Sequence, residues 1–337
     1  MGTTVLAGLN PSDPQNLTAV TVEPSGKFAY VTVAGSNKVL AYSINPTSGA
    51  LTPITGATPV APARQGPVSI ALAKGLTPVT YTPKFAYVGN YNSGDISTFS
   101  INASTGALSS LGAPVPSVAS LFVMAVDPFN KFVYAAGGGD EYMYVHSINP
   151  STGALSSRTA VTVQVTYSAA IESSGRFLYA AALHPSAGWG IFAYAIDPAT
   201  GSLTSVGSAV SMATIPFMAV DQSSQFIYAT SFDYDNISVY KIDPNTGAVA
   251  NVGAVAVTNP RQITVAPSGR FVYAVTDYDG VLIFTINPLT GELTSAGSMA
   301  SFFGSIAFEP SGRFAYANGP PPDSFFGPAF YSLRTCS

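Results

Sequence analysis

The sequence predicts an all-β protein that repeats one antiparallel unit seven times, and two observations support this prediction. A Phe-x-Tyr pair recurs along the whole chain, at Phe28/Tyr30, Phe85/Tyr87, Phe132/Tyr134, Phe177/Tyr179, Phe226/Tyr228, Phe271/Tyr273 and Phe314/Tyr316. The tyrosines follow one another at 43 to 57 residues, and a period of that length indicates one supersecondary unit copied along an array. No segment shows sustained hydrophobic periodicity of 3.6 residues, so almost no helix is expected.

Each unit is expected to contain four strands. A short apolar run is followed by a turn of the type EPSGRF at 309–314, in which proline presets one dihedral and glycine supplies a positive φ. The Phe-x-Tyr strand, a variable loop and a third strand come next. A second turn of the type INPSTGAL at 148–155 leads into the fourth strand. Four strands in each of seven units predict a seven-bladed β-propeller that forms one domain over residues 1–337.

The last unit ends early, and this predicts how the ring closes. After Phe314 and Tyr316 the chain supplies a third strand near 329–333, but no second turn and no fourth strand. The segment 3–8 precedes the first complete unit. We therefore expect the N-terminal strand to complete the last blade, which removes both free sheet edges.

Composition excludes several functions. Hydrophobic residues make up 47% of the chain and charged residues 9%, with a net charge of −4. This balance argues against nucleic acid as a partner, because phosphate binding needs basic patches. No apolar run approaches 18 residues, so no membrane span is expected. Cys336 is the only cysteine, which excludes an internal disulfide. Low charge with polar uncharged loops favours an exported protein, periplasmic or extracellular.

Residues that recur at a fixed place in the unit are assigned to the scaffold. Lysine or arginine precedes the Phe-x-Tyr pair six times, and acidic residues recur in the first turn, at Glu23, Asp127, Glu172, Asp221 and Glu309. Two further carboxylates, Asp197 and Asp243, share the second turn. His146 stands where the other units have a packing aromatic residue, so a structural role is predicted for it. Function is sought in what does not recur.

Acidic and aromatic residues gather in the loops between the second and third strands. Eight of the remaining acidic residues lie there, at Asp95, Asp140, Glu141, Asp233, Asp235, Asp277, Asp279 and Asp323. In a propeller these loops project on the face where the central channel opens. The expected ligand-binding residues are Tyr91, Asp95, Tyr142, Trp189, Asp233, Tyr234, Asp235, Asp277, Tyr278 and Asp279.

An acidic face rimmed by aromatic rings suits particular ligands. Carboxylates accept hydrogen bonds from hydroxyl or ammonium groups, and rings stack on sugar faces or cations. A neutral, carbohydrate-like small molecule, a cation or a protein partner is expected, whereas a phosphorylated ligand would be repelled. The alternative is that hairpin loops favour aspartate and tyrosine for turn formation alone.

No cofactor is expected, with calcium as the weaker alternative. The segments FDYDN at 232–236 and TDYDG at 276–280 place aspartates two residues apart in neighbouring units. Asp233, Asp235, Asp277 and Asp279 could offer oxygen ligands to one Ca²⁺ ion, as the start of an EF-hand loop does. The bidentate glutamate of such a loop is absent, so turn formation is the favoured explanation.

Three residues are candidates for catalysis. Arg261, in TNPRQITV, begins an innermost strand, and Arg64, in PARQGP, holds the comparable place in the second unit. Either arginine could orient a carboxylate or polarise a carbonyl. His184, close to Trp189 in an irregular loop, could titrate near neutral pH. For each of the three, the alternative is an ordinary solvated loop residue.

The recurrent xPSG[KR]FxY followed by IxPxTGxL resembles the seven-bladed lactonase-like propellers, which include bacterial 6-phosphogluconolactonases and fungal carboxy-muconate cyclases. Asn90-Tyr91 matches the Asn-Tyr motif of the second blade in that family, and Asn259-Pro260-Arg261 is similar to the Pro-Arg pairs that open its inner strands. The resemblance implies a site at the channel mouth, built from arginine, histidine and glutamate, that stabilises an enolate or opens a lactone. Surface propellers with YVTN-type repeats share the same blade pattern.

Three functions follow as expectations. The first is an exported propeller that binds a small ligand or a partner at the acidic aromatic face. The second is a lactone hydrolase or cyclase that uses Arg261, Arg64 and His184 or a neighbouring aspartate. The third is a structural module of a surface assembly.

Overall fold

The protein is built almost entirely from antiparallel strands. A computed structural model describes residues 3–5, 17–54, 60–74, 83–138, 141–184, 188–212, 217–231, 233–277, 279–299, 304–319 and 329–334. Within these ranges the strands form seven sheets, and the one helical segment is a 3₁₀ turn at Ala34–Ser36. The expectation of an all-β propeller is confirmed.

The chain begins with strand β1 (Thr3–Val5) and continues through three complete sheets. Sheet one contains β2 (Leu17–Val22), β3 (Phe28–Val33), β4 (Lys38–Ile44), β5 (Leu51–Pro53) and β6 (Val60–Pro62). Sheet two contains β7 (Pro67–Lys74), β8 (Pro83–Asn90), β9 (Asp95–Ile101), β10 (Leu108–Ser110) and β11 (Val115–Pro116). Sheet three contains β12 (Leu121–Val126), β13 (Phe132–Gly137), β14 (Tyr142–Ser147) and β15 (Thr159–Thr162).

The second half of the chain supplies four more sheets. Sheet four contains β16 (Val165–Ile171), β17 (Phe177–His184), β18 (Gly188–Ile196) and β19 (Leu203–Ser211). Sheet five contains β20 (Met218–Val220), β21 (Phe226–Ser231), β22 (Asn236–Ile242) and β23 (Val249–Ala256). Sheet six contains β24 (Pro260–Val265), β25 (Phe271–Thr276), β26 (Val281–Ile286) and β27 (Leu293–Met299). Sheet seven contains β28 (Ile306–Phe308), β29 (Phe314–Gly319) and β30 (Ala329–Arg334) together with β1.

The first strands of the sheets lie side by side around a centre. Strands β2, β7, β12, β16, β20, β24 and β28 each contact the next in this order, and β28 contacts β2. The first and last sheets are joined by a hydrogen bond from the backbone N–H of Val20 to Ser305 Oγ, 3.0 Å long. We call these seven the inner strands.

Both ends of the chain lie in sheet seven. Strand β1 pairs antiparallel with β30, with Thr3 opposite Ser332 and Val5 opposite Phe330. The strand order of the sheet is β1-β30-β29-β28. Strand β1 is therefore the outermost strand of sheet seven.

The two recurrent motifs contact each other across the boundaries between sheets. The ring of Phe85 in sheet two covers Gly153 in the second turn of sheet three so closely that a Cβ at Gly153 would lie 2.2 Å from it. The hydroxyl of Tyr87 donates to the carbonyl of Gly153 at 2.9 Å. The same contact between phenylalanine and turn glycine recurs as Phe28–Gly106, Phe132–Gly201, Phe177–Gly247, Phe226–Gly291 and Phe314–Gly49.

The recurring basic residues serve the same junctions. The side chain of Arg176 donates to the carbonyl of Pro244 at 2.6 Å, and that of Lys131 donates to the carbonyl of Pro198 at 3.2 Å. Each acceptor belongs to the second turn of the next sheet. For Arg176 and Lys131, the assignment to the scaffold is confirmed.

The recurring carboxylates of the first turn are buried and hold the turn together. Glu172 is 4% exposed, and its oxygens accept backbone N–H bonds from Ser174 at 2.6 Å, Arg176 at 2.7 Å and Phe177 at 3.1 Å. Burial by itself raises the pKa of the Glu172 carboxyl, but hydrogen bonds from the Ser174 side chain and these amides outweigh it and hold the pKa below its ordinary value. Glu309 has the same set of contacts and the same direction of shift.

His146 has the structural role that the sequence predicts. It lies opposite Val133, as Tyr42 lies opposite Ala29 in sheet one. The ring is fully buried, with Nδ1 donating to the Ser156 carbonyl at 3.0 Å and Nε2 lying 3.1 Å from Ser117 Oγ. Burial lowers the pKa of His146, so the neutral imidazole is favoured.

We expect Gly153→Ala to destabilise the protein by about 2 to 4 kcal/mol. The new methyl group would overlap the Phe85 ring, and the backbone at φ +73° disfavours any side chain. Chemical denaturation measures the loss. Gly253→Ala is the matched control, because a Cβ there meets nothing within 4 Å. Equal stability of the two variants would contradict the proposed contact between the motifs.

We expect Glu172→Gln to lower the free energy of unfolding by about 1 to 3 kcal/mol at neutral pH, since it weakens charge-assisted hydrogen bonds. The native carboxyl has a depressed pKa, so its contribution is complete above the unfolded value near pH 4.3 and is lost as the pH falls through the lower native value. The difference between wild type and variant should shrink in acid, as unfolding curves at several pH values would show. Glu309→Gln should behave in the same way. A difference in unfolding free energy between wild type and variant that grows as the pH falls would contradict this account.

Candidate functional site

Five inner strands carry a β-bulge near their start, and the extra residue differs in chemistry each time. The register shifts place it at Thr18, Val68, Phe122, Tyr167 and Arg261. A bulge bends its strand and redirects one side chain, which is why bulges are frequent beside binding sites. Here all five of these residues line the same cavity.

The cavity lies where the inner strands begin, at the mouth of the central channel. Its volume is about 830 Å³, within the range of pockets that hold small molecules. One wall, from sheets three to five, is formed by Phe122, Met124, Tyr167 and Phe217. The facing wall, from sheets six, seven and one, carries Gln262, Thr276, Ser305 and Thr18.

The polar wall carries an ion pair. Arg261 Nε donates to Asp277 Oδ1 at 2.7 Å, and the two side chains are 58% and 19% exposed. Among the described residues that line the cavity, they are the one cationic residue and the one carboxylate. Their charges compensate, so this wall offers hydrogen-bond donors and acceptors with little net charge.

The loops of sheets five and six lie on the same face, as the sequence predicts. The backbone N–H of Asn259 donates to Asp235 Oδ1 at 2.7 Å. The carbonyl of Asn259 accepts from the N–H of Asp277 at 3.2 Å. Asn259 thus connects Asp235 to the cavity wall, although Asp235 itself does not line it.

Four aromatic rings form a continuous row beside the cavity. The ring centroids of Tyr91 and Phe122 are 5.0 Å apart, those of Phe122 and Tyr167 are 5.4 Å apart, and those of Tyr167 and Trp189 are 5.0 Å apart. Phe122 and Tyr167 belong to the cavity wall, and Tyr91 and Trp189 extend the row on either side. We call this set the aromatic row.

Sequence reasoning found the ends of the aromatic row and missed its centre. Phe122 and Tyr167 lie in the entry segments of inner strands, which carry no charged residue and attracted no prediction. A signal was available, since Thr18, Phe122, Tyr167 and Arg261 each stand twelve residues before the tyrosine of their own Phe-x-Tyr pair. Unlike residue types at one fixed position of a repeat mark a functional position.

Asp95 is engaged in organising its own hairpin. It is 8% exposed and accepts hydrogen bonds from Asn90 Nδ2 at 2.8 Å and Ser93 Oγ at 2.9 Å. Arg64 Nε lies 3.6 Å from its other oxygen. Asp95 and Asp277 each lie beside an arginine, so these two carboxylate charges are partly compensated.

The predicted equivalence of Arg64 and Arg261 is wrong. Gly66 and Asn259 both have a positive φ and both directly precede the proline that begins an inner strand. The residue that corresponds to Arg261 is therefore Val68. Arg64 lies before this turn, 59% exposed, and is not among the described residues that line the cavity.

The other predicted residues lie away from the cavity. Tyr142 is 42% and Tyr234 65% exposed, and Asp233 and Asp279 are exposed turn residues. His184 stacks on Phe192, with ring centroids 6.2 Å apart. None of these is among the described lining residues. Tyr278 lies outside the described residues, as do Asp140, Asp323 and Cys336.

The described part of the chain contains no group of three histidine, cysteine, aspartate or glutamate side chains arranged to hold a metal ion. In the two DxD segments, Asp235 accepts the Asn259 amide and Asp277 accepts from Arg261. Over the same described ranges, no helix has the length and apolarity to cross a membrane.

The fold and the site together define a β-propeller with a ligand-sized cavity at the mouth of its channel. The family model "Lactonase, 7-bladed beta-propeller" matches residues 3–125 and 213–302. The chain belongs to this lactonase family. No curated protein matches it.

Solved structures with low sequence identity share the fold. A periplasmic gluconolactonase from Pseudomonas aeruginosa is 18% identical, with a TM-score of 0.67 over 86% of both chains. A Bacteroides fragilis protein provisionally assigned as a 6-phosphogluconolactonase is 19% identical, with a TM-score of 0.68 over 82% of both. Hydrazine synthase from Kuenenia stuttgartiensis is 14% identical, with a TM-score of 0.70 over 98% of this chain and 99% of that one.

We expect Tyr167→Ala to shift the fluorescence of Trp189 to longer wavelength. Trp189 is the only tryptophan in the sequence and packs edge-on against the Tyr167 ring, so removal of that ring exposes the indole to water. Phe217→Ala is the control, since Phe217 lines the cavity outside the aromatic row. An unchanged emission maximum in Tyr167→Ala would contradict the packing of the row.

Proposed function

We propose that this protein is an exported lactonase-family propeller that binds a small, sugar-like ligand in the cavity at the channel mouth. We further infer that its seven sheets are the blades of one ring, which β1 closes. The observation that carries the proposal is the convergence of five chemically different bulge residues on one cavity. A purely structural ring would have no need to vary these positions while it keeps the motif contacts constant.

The two walls of the cavity suit a compact ring with one apolar face and polar substituents. The rings of Phe122 and Tyr167 offer a surface on which a sugar-like ring can lie. On the facing wall, the Gln262 amide can exchange hydrogen bonds with hydroxyl groups, and Arg261 can donate to a carbonyl or carboxylate oxygen. A phosphate group is disfavoured, because Asp277 already neutralises the arginine.

Lactone hydrolysis is the second candidate, and the position of Arg261 favours it. A guanidinium in a small cavity can polarise the carbonyl of a bound lactone and stabilise the oxyanion formed by attack of water. The described wall supplies one carboxylate to act as a base, Asp277, and Arg261 holds it at 2.7 Å. Binding without turnover is therefore the leading proposal.

Calorimetric titration with glucono-δ-lactone, D-gluconate and 6-phosphogluconate tests the proposal. We expect saturable binding of the first or second compound and none of the third. Arg261→Ala should weaken binding about tenfold or more, since a hydrogen bond to a charged donor contributes roughly 1.5 to 3 kcal/mol. Arg158→Ala is the control, because Arg158 stacks on Tyr144 away from the cavity.

If none of the three compounds binds, or if Arg261→Ala and Arg158→Ala lose affinity equally, the proposed site is contradicted. Opening of the lactone ring releases acid. The rate of acid release, compared with the uncatalysed rate, separates the two candidates. Turnover that Arg261→Ala abolishes would favour the hydrolase.

A further inference from the structure

Asp235 binds both ends of the segment that leads into the inner strand of sheet six. Its carbonyl accepts the N–H of Val257 at 2.8 Å, and its Oδ1 accepts the N–H of Asn259 at 2.7 Å. The residue is exposed and adopts a left-handed conformation, φ 46°, which is uncommon for a residue other than glycine. Such conformations persist where the surroundings enforce them, and they cluster at functional sites.

A chain of contacts leads from Asp235 to the cavity. Asn259 is also left-handed, φ 45°, and its carbonyl accepts the N–H of Asp277 at 3.2 Å. Asp277 in turn accepts from Arg261 Nε at 2.7 Å. Arg261 follows Asn259 by two residues, so the same short turn fixes the backbone of the arginine and that of its carboxylate partner.

The same arrangement of contacts recurs between sheets one and two. Asn37, φ 56°, accepts the N–H of Ala63 with its carbonyl and that of Gly66 with Oδ1, both at 2.9 Å. The carbonyl of Gly66 accepts the N–H of Tyr91 at 2.8 Å. At this position the bulge residue is the uncharged Val68. We call the pair of backbone contacts made by Asn37, and the pair made by Asp235, a clamp. The Asn37 clamp acts on no cavity arginine, so it is the matched control for the Asp235 clamp.

We propose that Asp235 is a positioning residue for Arg261, which it holds in place through Asn259 and Asp277. This inference rests on the proposed function, because it makes the affinity of the cavity for its ligand depend on Asp235, which lies outside the cavity. A side-chain oxygen acceptor is what the clamp requires, so Asp235→Asn keeps it and Asp235→Ala removes it. The exposed position of Asp235 makes a folding defect a small part of the effect.

The first test observes Arg261 without any ligand. The sequence contains seven arginines, so their Nε–H groups give a readable set of ¹H–¹⁵N signals, and the signal missing in Arg261→Lys identifies Arg261. In Asp235→Ala we expect this signal to move toward the position of a solvated arginine and to exchange faster with water. It should stay in place in Asp235→Asn and in Asn37→Ala.

The second test measures affinity for glucono-δ-lactone in a double-mutant cycle. Asp235→Ala should raise Kd about five- to tenfold in the wild-type background and leave it unchanged in the Arg261→Ala background. Asn37 holds the turn before Val68, which lines the cavity, so a change in Kd caused by Asn37→Ala should be the same in both backgrounds. If the lactone fails to bind the wild-type protein, the proposed function fails, and the spectroscopic test still decides the role of Asp235. An Arg261 signal that is unmoved in Asp235→Ala, or moved equally in Asn37→Ala, would overturn the inference.

Discussion

The contact between the Phe-x-Tyr pair of one sheet and the turn glycine of the next is the constraint on which the rest of the structure depends. At Gly153 only a hydrogen atom fits beside the Phe85 ring, and the Tyr87 hydroxyl occupies the carbonyl of the same residue. The contact between Phe314 and Gly49 applies the same geometry between the last sheet and the first. Among the described residues, this contact joins six pairs of neighbouring sheets, all but sheets six and seven.

This constraint leaves the opposite ends of the sheets open to variation. The motif contacts fix where each inner strand runs, and the bulge near the start of the strand then directs one side chain toward the channel. Phe122 and Arg261, for example, differ in size and charge at this position, while the motif contacts of their sheets stay the same. A binding site assembled from such positions can acquire a new ligand by substitution at a few places while the scaffold remains the same.

Much of the fold could be predicted from the sequence, because the repeat displays the scaffold directly. The strand order, the turns and the role of His146 all follow from positions that recur. The site was harder to predict, because a bulge depends on strand pairing and is visible in the sequence only when the same position of several repeats is compared. Asp95 and Asp235 lie where the second and third strands of their sheets are joined, and their partners, Asn90 and Asn259, turn them into structural groups. Arg261 and Asp277 were found because charge is rare in this chain, whereas Phe122 and Tyr167 resembled ordinary strand residues.

The central claim is that the channel-mouth cavity holds the ligand between an aromatic wall and Arg261. A crystal structure of the protein soaked with glucono-δ-lactone tests this most directly. The account predicts electron density for one ring against Phe122 and Tyr167, with an oxygen atom within hydrogen-bonding distance of the Arg261 guanidinium. Density at the exposed loops around Tyr142 or Tyr234, with an empty cavity, would contradict it.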